Sequence, residues 1–142
     1  MVADGVSVST SYKLGDTVIT GIAPGTGASS VLANISAGSG TVKVLKADGT
    51  ENTGAVGTGN KIAVYANGTL VKQYDVVIYG DINGDGKISV VDLVMMQKQI
   101  LGISQLSGAY AAAADISRDG KVSVKDLVLL QKHIINAAQI EQ

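Results

Sequence analysis

Hydrophobic positions along the chain change their period near residue 80. Upstream, short apolar-alternating runs lie between turn signals such as Ala47-Asp48-Gly49 and Asn67-Gly68, the pattern of strands joined by turns. In Lys61–Tyr79, Ile62, Val64 and Leu70 flank Asn67-Gly68. That pair tolerates the positive φ angles of a type I′ turn, so a hairpin is predicted. Further strands are predicted over Val6–Ser9, Thr17–Ile22 and Thr41–Lys46. Ser29–Ile35 places Val31, Leu32 and Ile35 at helical spacing behind Ser29 or Ser30 as caps, which predicts one short helix. Downstream, Leu93–Leu101 and Leu127–Ile135 are nearly continuous apolar helical runs. Within them Leu93, Met96 and Ile100, like Leu127, Leu130 and Ile134, keep the i, i+3, i+7 spacing of one buried face. The expectation is two modules: residues 1–79 mostly β and sandwich-like with one short helix, and residues 80–142 all-α.

An internal repeat dominates the second half. Residues 81–102 laid over residues 115–136 agree at 13 of 22 positions, with four further Ile/Val, Met/Leu or Leu/Ile exchanges. Each copy begins with oxygen-bearing residues at fixed spacing: Asp81, Asn83, Asp85, Ser89 and Asp92 in the first, Asp115, Ser117, Asp119, Ser123 and Asp126 in the second. A hard cation such as calcium takes about 6 to 8 oxygen ligands, and a 12-residue loop supplies them from positions 1, 3, 5, 9 and 12 and the carbonyl of position 7. Position 7 is Lys87 in one loop and Lys121 in the other, and Gly86 and Gly120 stand at the sharp turn of position 6. All six aspartates after Gly80 occupy ligand positions. Loop-solvating or helix-capping aspartates would be scattered, and three converging carboxylates repel one another without a cation, so metal-free loops are expected to be loose.

Composition narrows the alternatives. Lys+Arg 11 against Asp+Glu 12 leaves no basic field for nucleic acid and no polybasic membrane patch. No run approaches the roughly 20 apolar residues of a membrane helix, so neither partner is expected. Cysteine is absent, which excludes disulfides and thiolate metal sites. His133 is the only histidine and is expected at the surface, where no Ser-His or His-metal constellation can form around it. Asp4, Asp16, Asp48, Glu51 and Asp75 show no pairing signal, and Gly25-Thr26-Gly27 and Gly57-Thr58-Gly59 lack the rest of any phosphate-binding pattern. An enzyme is therefore not expected. Five Tyr with no Trp or Phe make a poor sugar platform, and Tyr65, Tyr74 and Tyr79 are expected in the core or at the junction. Met1 running straight into foldable sequence suggests a piece excised from a longer chain.

Two features separate these loops from a sensor EF-hand: position 12 is Asp, and the first loop is entered from a strand-like stretch, Tyr74–Tyr79. Two loop-helix repeats of the form D-x-N-x-D-G-x-x-x-x-x-D-L, joined by a short segment, resemble a dockerin domain over residues 80–138. The upstream ending Tyr74–Asp81 is similar to the small β-rich X modules that precede dockerins in some anaerobic gut bacteria. The resemblance implies two calcium sites, an extracellular or cell-surface setting, and a cohesin of a scaffoldin as the partner of a chain that is monomeric when free. A calcium-binding protein without a cohesin, or a carbohydrate-binding β-rich part, are the alternative readings.

A core of this size needs one apolar stripe per helix, yet each helix carries a second, which must be covered by the β-rich part or by a partner. By the resemblance, recognition centres on Val90, Val91, Val94, Gln97, Lys98 and Leu101, or on Val124, Lys125, Val128, Gln131, Lys132 and Ile135. The likeness of the two sets permits two binding modes related by a half-turn, although Val91 against Lys125 and Gln99 against His133 break the symmetry. The absence of a Pro- or Ser-rich linker implies that the two parts pack rigidly. In the second loop the neutral Ser117 and the cationic Arg118 predict weaker calcium binding than in the first. Titration calorimetry should resolve two unequal affinities; equal ones would refute the ranking.

Overall fold

A computed structural model of the chain describes residues 2–3, 6–8, 12–14, 17–36, 40–135 and 140. Strands β1 (Val2–Ala3), β2 (Val6–Val8) and β5 (Ile35–Ser36) make a small antiparallel sheet in the order β1-β2-β5. Strands β3 (Lys13–Leu14), β4 (Val18–Thr20), β6 (Thr41–Leu45), β7 (Lys61–Ala66) and β8 (Thr69–Val76) make a larger one in the order β3-β4-β8-β7-β6. The hairpin β7–β8 forms as the sequence predicts, with Asn67 at φ 55 and Gly68 at φ 79, both in the left-handed region that a type I′ turn requires. Its register shifts between Val64 and Tyr65, and the bulge leaves Leu70 and Val71 exposed near its tip.

The sandwich-like, mostly-β expectation is corrected by this topology. β4 runs parallel to β8, pairing Val18 with Asp75 and Ile19 with Val76, so the larger sheet is mixed. The second sheet has strands of only two or three residues. Helix α1 (Ala28–Ala33) lies against β5 and β6 and contributes Ala28 and Val31 to a core with Ile19, Ile22, Val44, Ile62, Tyr74, Val76 and Ile78. α1 starts one residue before Ser29 with Gly27 as its N-cap and no side-chain cap, and Ile35 belongs to β5. The predicted strand Thr17–Ile22 is confined to Val18–Thr20, Thr41–Lys46 to Thr41–Leu45, and the stretch to Tyr79 stops as strand at Val76; Ser9, the predicted end of the first strand, lies outside the described residues.

The all-α expectation for residues 80–142 is overturned as well. Helices α2 (Val90–Ile100), α3 (Gly108–Ala114) and α4 (Val124–Ile134) account for 11, 7 and 11 residues, and the stretches between them are loops and turns. The cause is local: backbone N–H groups of the two acidic loops turn inward onto carboxylates and cannot join a helical ladder. α2 and α4 pack on each other around Ile82, Met96, Ala114, Ile116 and Leu130, flanked by half-buried Leu93, Ile100, Leu127 and Ile134. The one-stripe core predicted for each helix is thus where the helices meet. α3, which no periodicity announced, supplies Ala113 and Ala114, and the Ala113 carbonyl accepts the Gly80 N–H at 2.9 Å. No helix of the described residues is long and apolar enough to cross a membrane.

Ile62 is fully buried in the β-rich core. Replacing it with Ala should lower stability by about 3 kcal/mol, read as a fall in the urea midpoint of the full chain with an unchanged slope.

Candidate functional site

Both acidic loops are built the same way. In the first, Asp92 at the start of α2 reaches back over the loop: its Oδ1 accepts the N–H groups of Ile82 (2.8 Å) and Asn83 (2.9 Å) and its Oδ2 accepts Ser89 N–H at 2.8 Å. Asp126 repeats this in the first turn of α4, accepting Ser117 N–H at 2.8 Å and Ser123 N–H at 2.9 Å. Position 12 therefore closes the loop and caps the following helix with one carboxylate, since Asp92 and Asp126 sit at the third position of their helices opposite Ser89 and Ser123 as N-caps. Asp85 Oδ1 accepts Lys87 N–H at 2.9 Å and Asp119 Oδ1 accepts Lys121 N–H at 3.2 Å. Asn83 joins Asp85 through Nδ2–H···Oδ2 at 3.3 Å.

The structure brings Asp81, Asp85 and Asp92 together, and likewise Asp115, Asp119 and Asp126, with one carboxylate oxygen from each within 4.8 Å of the others. Oxygens that share one calcium at about 2.4 Å cannot lie further apart than that, so the donor sets fit a single hard cation in each loop. In the second loop the buried Ser117 Oγ lies beside the Asp119 carboxylate and helps to hold it ionised, so position 3 adds an oxygen to the converging set.

The loops differ in their surroundings. Asp81 is fully buried. Its Oδ1 accepts the Gly84 (3.1 Å) and Asp85 (3.2 Å) N–H groups, and its Oδ2 accepts Gly86 N–H and, from the β-rich segment, Thr58 N–H, both at 3.0 Å. Burial pushes its carboxyl up to about 6 against the pull of those bonds, helped by the charges of Asp92 and Asp85; burial likewise raises Asp92. Asp115 is only half-buried and accepts Asp119 N–H at 3.3 Å and Gly120 N–H at 2.9 Å. Exposed Asp119 is held below the ordinary carboxylate range by the Lys121 N–H. At position 4 the first loop has Gly84 and the second Arg118, at φ 61 with its guanidinium 4.1 Å from the centroid of the Tyr79 ring. Thr58 and the Arg118–Tyr79 stack were not singled out from the sequence; the Gly84/Arg118 mismatch in the repeat was their one legible signal.

The second stripe of each helix is at the surface. Val90, Val91, Val94 and Leu101 are 58%, 55%, 41% and 71% exposed, with Gln97 and Lys98 exposed among them. Val124, Val128 and Ile135 are 60%, 40% and 71% exposed, beside exposed Lys125, Gln131 and Lys132. Ile103, just beyond α2, is exposed too and escaped the sequence reading. His133 is half-buried, its Nδ1 accepting Ile140 N–H at 3.1 Å, which ties Ile140 to α4 and corrects the surface placement expected for His133. Tyr74 is fully buried, Tyr79 lines the second core and Tyr65 stays partly exposed under Lys43.

Comparison with known proteins bears on residues 79–135, which match the family model of the dockerin type I domain. Two solved structures from Acetivibrio cellulolyticus are similar to part of the chain. Both are of a ScaB dockerin in complex with the third ScaC cohesin, displaying a type I interaction. The one mutated in the dockerin's N-terminal helix is 25% identical over 46% of this chain and 92% of that one, with a TM-score of 0.43. The one mutated in the C-terminal helix is 26% identical over 46% and 96%, with a TM-score of 0.42. No curated protein matches the chain.

The raised carboxyls set the pH dependence of the metal-free protein. Asp81 takes up a proton more readily folded (about 6) than unfolded (3.8), so its contribution to stability is complete below 3.8 and is lost as pH rises through about 6. Denaturation in chelator should therefore show a higher midpoint at pH 5 than at pH 7, and Asp81→Asn should shrink that difference. Asp48 and Asp119, shifted the other way, act only at lower pH.

Proposed function

We propose that the dockerin type I domain formed by residues 79–135 docks the chain onto a cohesin of a scaffold, in a calcium-dependent manner and without catalysis of its own. The observation that carries this is the pair of exposed apolar stripes, Val90, Val91, Val94 and Leu101 on α2 and Val124, Val128 and Ile135 on α4, each rooted in a loop of converging carboxylates. Apolar surface of this extent on so small a unit has the composition of an interface, with Gln97, Lys98, Gln131 and Lys132 placed to supply the polar contacts among it. The solved complexes of similar dockerins with a cohesin agree in the kind of partner.

Asp81, Asn83, Asp85, Asp92 and the Lys87 carbonyl would hold one calcium ion, with Ser89 acting through water. Asp115, Ser117, Asp119, Asp126 and the Lys121 carbonyl, with Ser123, would hold a second. Bound calcium supplies the positive charge that lets three carboxylates converge. Because Asp92 and Asp126 also cap α2 and α4, the loop that takes the cation sets the start of the helix that meets the partner. Metal binding and docking are then linked through the first turn of each helix. A setting outside the cell, where a scaffold would display its cohesins, follows from the same reading.

Binding to a panel of cohesins should be nanomolar in calcium and lost in chelator; a folded chain that ignores every cohesin would leave a calcium-binding protein without this partner. Alanine pairs at Gln97/Lys98 and at Gln131/Lys132 report the mode. Loss of binding from one pair alone means that a single helix leads, whereas tolerance of either pair means that the two faces substitute for each other.

A further inference from the structure

The two acidic loops share a pattern but not an environment, and the difference lies in the β-rich segment. Residues 52–60 form a loop organised from within: Asn52 Nδ2 donates to Ala55 O (2.9 Å) and to Asn60 Oδ1 (2.8 Å), and Asn60 Oδ1 also accepts Gly57 N–H at 3.1 Å. Thr58 Oγ1 accepts Ile78 N–H at 3.0 Å and donates back to Ile78 O at 3.1 Å, fastening the loop to the segment after β8 that leads into Asp81. From this fixed position Thr58 donates its N–H to Asp81, and Gly25 donates its own to Gly86 O at 2.7 Å.

Close approach of the two backbones leaves no room for side chains. A methyl at Gly57 would overlap the Gly84 carbonyl and lie 2.8 Å from Gly86 N; one at Gly84 would overlap Thr58 O, and one at Gly86 would lie 2.9 Å from Val56 O. At Gly120, the counterpart of Gly86, a methyl would meet nothing within 4 Å. The repeat accordingly tolerates Arg118 where the first copy has Gly84.

We propose that the Val56–Thr58 backbone is an outer shell of the first calcium loop, holding Asp81 and the Gly84–Gly86 turn in place so that this loop releases calcium slowly while the second exchanges freely. A donor that fixes a ligand from behind acts on metal affinity without touching the metal; Thr58 is thus a positioning residue. The inference rests on the calcium reading of residues 81–92 given above.

The test uses the full chain with Asp119→Ala to silence the second loop, and follows calcium release into a fluorescent chelator by stopped flow. Gly57→Ala, whose added methyl strikes the loop, is compared with Gly54→Ala, where the nearest atom is Asn52 Oδ1 at an ordinary 3.7 Å. Release should be at least tenfold faster in Gly57→Ala and unchanged in Gly54→Ala; equal rates overturn the proposal. Should Gly57→Ala not fold, hydrogen exchange on the unaltered protein decides: calcium should slow exchange of the Thr58 amide at least tenfold, and an unaffected amide overturns the proposal. If the Asp119→Ala chain takes up no calcium by calorimetry, the reading of the first loop as a calcium site fails, and the proposal with it.

Discussion

A buried carboxylate at residue 81 is the constraint around which this molecule is arranged. Desolvating a carboxylate costs several kcal/mol unless hydrogen bonds or an opposite charge compensate it. Asp81 receives compensation from four backbone N–H groups, three in its own loop and one from Thr58. The loop must curl to deliver the three, which fixes its glycines, and the β-rich segment must come within hydrogen-bond distance to deliver the fourth. The fold of one half is therefore a condition for the electrostatics of the other. The Ile78 and Gly80 hydrogen bonds at the junction serve the same end, since they set where Asp81 enters the loop.

The same economy of parts explains the two helices. Each has 11 residues, about three turns. With Met96 and Leu130 facing each other's helix and the half-buried leucines and isoleucines flanking them, the mutual interface is complete. Among the described residues nothing covers Val91, Val94 or Val128, and the described part of the β-rich segment meets the loop and leaves these helix faces bare. Their apolar character plays no part in the packing of the described residues.

What could be read in advance was what is local. The hairpin rests on Asn67-Gly68, the loops on an oxygen spacing within 12 residues, and the helix faces on a period, all visible without knowing what lies across space. Sheet order was not legible, because the parallel pairing of β4 with β8 joins residues more than fifty apart and leaves no mark on either strand; the sandwich expectation failed there. The all-α expectation failed because the two loops commit their N–H groups to carboxylates and the stretches between helices are turns, so only α2, α3 and α4 are helical in this part. α3 is Ala-rich and lacks the apolar period that reveals α2 and α4. Thr58 sits between two glycines in a segment that reads as an ordinary turn, and only the glycine at position 4 of one repeat against arginine in the other hinted that one loop was covered.

Tyr110 of α3 stands at the seam between the halves. A methyl at Gly59 would collide with its phenol, and one at Gly84 would lie 3.2 Å from its ring. The chain has five Tyr and no Trp, so no indole is present to drain or mask phenol emission. Tyr74 is sealed in the β-rich core, Tyr12 packs against the same core, Tyr65 lies on β7 under Lys43 and Tyr79 is stacked under a guanidinium, which leaves Tyr110 as the ring wedged between residues of the two halves. The molecule thus carries its own optical gauge of that seam, readable in the near ultraviolet without a label.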